Sequence, residues 1–161
     1  MCKNKRGGVV MRNIYLILIG LTLFANADFT RDNNGIVTDT LNKLQWQDDI
    51  DPYDTRKQID LQNAYIQCED LTLGGYEDWR LPNINELASI IDDNKHMPAL
   101  YSIFENQVNN ENDHMIYWSS TTDGRTPGSQ DVIRFESGQI FSSGIYKTGV
   151  YLYTRCVRSL N

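Results

Sequence analysis

The chain has 161 residues, with 15 lysines and arginines against 21 aspartates and glutamates, a formal net charge of −6, and 40% hydrophobic residues. That length suits one compact domain around one core, and the acidic balance disfavours unassisted binding to DNA, RNA, anionic lipid or sulfated polysaccharide. No internal repeat, low-complexity tract or linker argues for a second domain.

At the N-terminus, Lys3, Lys5, Arg6 and Arg12 precede an apolar run over residues 14–24, and Ala25-Asn26-Ala27 supplies a small-x-small cleavage pattern. Residues 1–27 therefore read as a signal peptide cut before Asp28, and 28–161 as a single exported domain, periplasmic, cell-surface or secreted. The run is shorter than the ~20 residues that cross a bilayer, so no permanent membrane anchor is expected. Cleavage removes four basic residues and no acidic ones, leaving 11 basic against 21 acidic residues and a net charge of −10. It also leaves two cysteines, Cys68 and Cys156, which in an oxidising compartment are expected to pair as a disulfide. The alternative is a redox or metal-binding thiol pair, but no Cys-x-x-Cys and no neighbouring histidine supports it.

The exported part opens as a strand pair, Phe29-Thr30-Arg31 and Gly35-Ile36-Val37-Thr38, around a tight turn at Asn33-Asn34. A second turn over 40–43 leads to Leu44-Gln45-Trp46, and residues 48–56 read as an acidic loop containing Pro52. Leu61, Ala64, Tyr65, Cys68 and Leu71 recur at helical spacing, which predicts a first helix over about 57–73 ended by Gly74-Gly75, with Cys68 near its middle. In Asp78-Trp79-Arg80-Leu81-Pro82-Asn83, Trp79 and Leu81 alternate with charged residues that could pair at the rim, and Pro82 holds Leu81 extended. Asn83 with Glu86 forms a capping-box signature, so a second helix is expected from 83 to about 92, its apolar stripe being Leu87, Ile90 and Ile91. Residues 98–107 read as irregular or short helix, 106–113 as polar turn. Strands are expected at 117–120, 132–135, 139–145 and 151–158, the last buried and carrying Cys156, with a long loop over 121–130. Two early helices and several late antiparallel strands make an α+β domain.

Taken in order, these landmarks resemble the C-terminal domain of the Legionella collagen-like adhesin. The resemblance rests on Gly35-Ile36-Val37-Thr38-Asp39 with Leu44-Gln45-Trp46-Gln47, Ala64 with Cys68 and Leu71, and Asp78-Trp79-Arg80-Leu81-Pro82-Asn83 with Glu86-Leu87. Tyr117-Trp118-Ser119-Ser120-Thr121, Val132 to Phe135 with Gly138, and Arg155-Cys156-Val157-Arg158 complete it. It implies a C-type-lectin-like fold, with two helices packed beside antiparallel sheets, and an exported binding module. No Gly-x-y stalk precedes the domain, so the trimer such a stalk enforces is not implied. The acidic charge opposes a sulfated polyanion, so that ligand is not carried over.

Trp46, Trp79 and Trp118 could form a sugar-stacking platform, but their places in predicted strands or extended segments read as core. Tyr53, Tyr76, Tyr101, Tyr146 and Tyr151 are better candidates for surface aromatics. Asp48, Asp49, Asp51 and Asp54 offer oxygen ligands to a hard cation but lack the glycine and spacing of an EF-hand loop, so they read as solvated loop, and no metal or other cofactor is expected. His96 and His114 are isolated, and no serine or cysteine lies in a nucleophile context, so no enzyme is expected. The fold implied by the resemblance places binding in the loop region between Phe104 and Val132, where Asn109, Asn112, Asp113, Asp123 and Arg125 supply donors and acceptors. The reading is a non-catalytic, adhesin-like module for a glycan or protein surface; the alternative is a structural or assembly subunit of the bacterial envelope bound to another bacterial protein.

Overall fold

The computed structural model describes residues 29–49, 58–105, 115–144 and 149–160. The signal-peptide reading lies outside them, and among them no helix is long and apolar enough to cross a membrane. The chain is α+β, in the order β1 (Phe29–Arg31), β2 (Ile36–Asp39), β3 (Leu44–Gln47), α1 (Leu61–Glu69), α2 (Ile84–Ser89), β4 (Ile116–Thr122), β5 (Gln130–Arg134), β6 (Gln139–Ser143) and β7 (Val157–Ser159). One antiparallel sheet runs β1-β2-β3-β7 and the other β4-β5-β6.

The opening hairpin forms as read. Asp32 Oδ1 accepts the backbone N–H groups of Asn34 and Ile36, and Gly35 turns the chain at a φ of 76°. A Cβ on Gly35 would come within 2.9 Å of Asp49, so that residue is needed for both its backbone freedom and its lack of a side chain. At the next turn, Asp39, wholly buried at the end of β2, accepts the Asn42 backbone N–H at 3.0 Å and its side-chain amide at 2.7 Å.

Both predicted helices are shorter in the structure. Ile59 exchanges backbone hydrogen bonds with Leu152, Asp60 caps α1 by accepting from Asn63, and the helix ends at Asp70 rather than continuing to residue 73. Cys68 therefore sits in the last turn, not the middle. α2 has the expected capping box but stops at Ser89, beyond which Ile90 and Ile91 continue the apolar stripe on non-helical backbone. The expected strand over 151–158 is reduced to β7. Before it and at its first residue, the chain makes isolated bridges and bonds to successive elements: Leu152 with Ile59, Tyr153 with Ile116 and Trp118, Cys156 with Gln47, and Val157 with Arg80. This C-terminal segment ties both sheets to the approach to each helix.

Consecutive side chains on a strand point to opposite faces, and here both faces are filled. Val37, Tyr117 and Ile133 lie in one apolar cluster, while their neighbours Ile36, Trp118 and Val132 lie in a second. Trp46, Trp79 and Trp118 are at most 2% exposed, so all three fill core as expected. The Trp118 indole N–H donates to Ile59 O at 2.7 Å, fixing the chain just before α1.

Cys68 and Cys156 form the expected disulfide, with Cα atoms 5.4 Å apart. The acidic loop departs from expectation at Asp48. This residue is buried, and Oδ1 accepts from Arg155 Nη1 at 2.8 Å while Oδ2 accepts from Arg31 Nε at 2.8 Å and the Glu105 backbone N–H at 3.0 Å. Arg155, also fully buried, further donates to Gln47 O and lies over the Phe104 ring at 5.0 Å. Asp48 is thus an internal counter-ion rather than solvated loop, while Asp51 and Asp54 lie outside the described residues.

Asp48→Ala should lower unfolding free energy by about 3–5 kcal/mol, because it leaves the Arg155 charge buried without its carboxylate. Chemical denaturation measures this. Replacing both cysteines with serine should cost about 2–5 kcal/mol, and reducing agent should then leave the variant's midpoint unchanged while lowering that of the parent.

Candidate functional site

The residues singled out for binding separate into two groups. Asn109, Asn112 and Asp113 lie outside the described residues. Asp123 and Arg125 lie in the connection between β4 and β5, which is shorter than expected because β4 extends through Thr122 and β5 begins at Gln130. Asp123 is only 4% exposed and organises the loop. Its Oδ1 accepts the Arg125 backbone N–H at 2.9 Å and Nε at 3.1 Å. The Arg125 backbone N–H, the Ser142 hydroxyl and the Arg125 guanidinium hold the Asp123 carboxyl down to about 2. Arg125 is held on its Nε side while its side chain stays 81% exposed. Within this loop Asp123 is an anchor and Arg125 is the group presented to solvent.

A second feature was not singled out from sequence. Between the β2–β3 turn and α2 lies an open cleft of about 250 Å³, lined by Asn42, Leu44, Asn83, Asn85, Glu86 and Ser89. Its walls are fixed from several sides. Asp39 pins the Asn42 amide, the Asn83 side chain accepts the Glu86 N–H at 2.9 Å, and Glu86 Oε2 accepts the Asn83 N–H at 2.8 Å. The Thr121 hydroxyl accepts from the Ile84 N–H at 2.9 Å, tying α2 to β4. Arg80 grips Glu86 with two hydrogen bonds of 2.8 and 2.6 Å. Burial alone would raise the Glu86 carboxyl, but the Arg80 and Asn83 donors outweigh it and hold the group below the ordinary carboxylate range.

Arg80 therefore pairs with Glu86, and Asp78 pairs with Arg158 at 2.6 and 3.0 Å, rather than with each other. The expected Asp78–Arg80 rim pair does not form. Each found a charge brought close by tertiary contact, and Arg158 is further held by Gln45 and by Tyr76, whose ring lies 3.8 Å from its guanidinium.

Among the surface aromatics, Tyr76 and Tyr151 are exposed, Tyr101 packs on Phe29 at 4.9 Å, and Tyr53 and Tyr146 lie outside the described residues. Among the described residues no three of His, Cys, Asp and Glu converge as a metal site.

This architecture defines a disulfide-bridged α+β domain with two antiparallel sheets and two short helices. Residues 35–158 match the Lcl C-terminal domain, and the chain belongs to that family, as its landmarks led us to expect. Membership points to an adhesin-associated module. No curated protein matches the chain.

The folded-state pKa of Asp123 lies below its unfolded value, so its stabilisation of the loop is complete above about pH 4 and is lost as pH falls through about 2. An NMR titration should show the Arg125 amide moving with a midpoint near that lower value, and Asp123→Asn should remove the transition.

Proposed function

We propose that this chain is an exported, non-catalytic binding module of C-type-lectin-like fold that recognises a glycan or a protein surface. The observation that carries the reading is the pre-formed polar cleft beside α2 within a domain of adhesin-associated family. Pockets of this kind bind when a few convergent polar groups are already fixed. A C-type-lectin-like arrangement is supported by β1 and β7 sharing one sheet, which brings the first and last described strands together, and by two helices beside antiparallel sheets. Export is supported by the charged, apolar and small-residue pattern of residues 1–27 and by a disulfide that needs an oxidising compartment to persist. A non-catalytic role is supported by the use of Cys68 and Cys156 in that bridge and by the absence of any recognisable nucleophile and base pairing in the sequence.

Purified exported protein should begin at Asp28, and N-terminal sequencing that returned an uncleaved N-terminus would count against export by cleavage. On a glycan array, with a parallel pull-down from bacterial envelope extract, binding should occur and be abolished by the free sugar. Binding only to an envelope protein, indifferent to sugar, would favour an assembly subunit. Binding to neither, with a cofactor copurifying instead, would overturn the reading.

A further inference from the structure

The geometry points to the cleft between the β2–β3 turn and α2 as a subsite for one uncharged, hydroxyl-rich ring, a neutral monosaccharide unit. This inference rests on the binding-module reading and specifies its site and ligand class.

Size is the first argument. At about 250 Å³ the cleft falls below the roughly 300–1,000 Å³ that holds a drug-sized ligand, which suits a single ring rather than an extended chain.

The second argument is the chemistry of the free groups. Among the described residues the Asn85 side chain makes no hydrogen bond, Asn83 uses its side-chain oxygen but not its amide N–H₂, and Asn42 uses its N–H₂ but not its oxygen. Ser89 donates to Glu86 O at 2.7 Å, which leaves its hydroxyl oxygen able to accept. The lining therefore offers both free donors and free acceptors, a mixture that hydroxyls, each both donor and acceptor, can satisfy. Leu44 supplies an apolar wall for the C–H face of such a ring.

Charge is the third. The only ionised lining side chain is Glu86, which Arg80 neutralises with a two-pronged pair. Three of the four N–H groups at the start of α2 are already used, Asn83 by Glu86, Ile84 by Thr121 and Glu86 by Asn83, which leaves the single N–H of Asn85 and no converging set to hold an anion. Among the lining side chains a sulfated or phosphorylated ligand would find no cation, and a carboxylate would meet Glu86. A neutral ring meets neither penalty. The fixed side chains also lower the ordering cost of binding, because Asp39, Glu86 and Asn83 already hold three of the lining groups in place.

The test is an NMR titration of isotope-labelled full-length exported protein with the methyl glycosides of glucose, galactose, mannose and N-acetylglucosamine, and with a heparin disaccharide for comparison. At least one neutral glycoside should move the signals of Asn42, Asn85 and Ser89, and the heparin disaccharide should not. Asn85→Ala, which removes a side chain with no structural hydrogen bond, should weaken that binding by about tenfold with the remaining spectrum unchanged. Arg125→Ala, in the separate β4–β5 loop, should leave it unaltered. Shifts confined to other residues, or no shift with any of the four glycosides, would overturn the assignment. If the glycan array is nevertheless positive, only the cleft falls; if array and pull-down are both empty, the binding-module reading falls as well.

Discussion

The buried ion pair between Asp48 and Arg155 is the constraint on which the rest of the domain depends. Two fully inaccessible charges would be costly apart, and together they are tolerable only because further donors and acceptors surround them. Arg31 from β1, the backbone of Glu105, the carbonyl of Gln47 and the ring of Phe104 complete that surround. Four distant stretches of chain must therefore arrive together. Such a pair contributes specificity more than net stability: wrong registers of β3 against the C-terminal segment would leave one charge buried alone.

The disulfide acts next to the same point. Cys156 adjoins Arg155, and its bridge fastens the end of α1 to the segment that the ion pair has already placed. The segment pairs with β3 as β7 and reaches Arg80 and the second sheet through isolated backbone bonds. A regular strand would have paired with one or two neighbours only. The irregular path lets a short stretch join both sheets, and the two-faced burial of β2, β4 and β5 encloses it between two apolar clusters.

The capping motif has two roles in this arrangement. Asn83 and Glu86 start α2, and the same two residues line the cleft. Arg80 makes this possible by satisfying Glu86 as a charge, which leaves the Asn83 N–H₂ and the Asn85 amide unspent. Structural saturation and functional availability thus meet in one helical turn. The β4–β5 loop divides the work differently, with Asp123 consumed by the turn and Arg125 left outward.

Local chemistry was enough to read much of this protein. The first two hairpin turns, the capping box and the burial of three tryptophans follow from short-range spacing and side-chain type, because such signals act within a few residues, while the cysteine pairing follows from the count left after cleavage and the family from the order of landmarks along the chain. Charge partnerships did not follow. Asp78 and Arg80 are neighbours in sequence yet pair with Arg158 and Glu86, and Asp48 reads as loop until Arg155, more than a hundred residues away, enters the same space. The cleft was hidden for the same reason: Asn42 and Asn83 come from separate turns, and each has a sufficient local role. What the sequence determined by itself was the local geometry of the turns and caps and the class of fold. Tertiary structure alone decided the distant charge partners of Asp48 and Asp78 and the meeting of the β2–β3 turn with α2 that forms the cleft, since both depend on segments brought together from far apart in the chain.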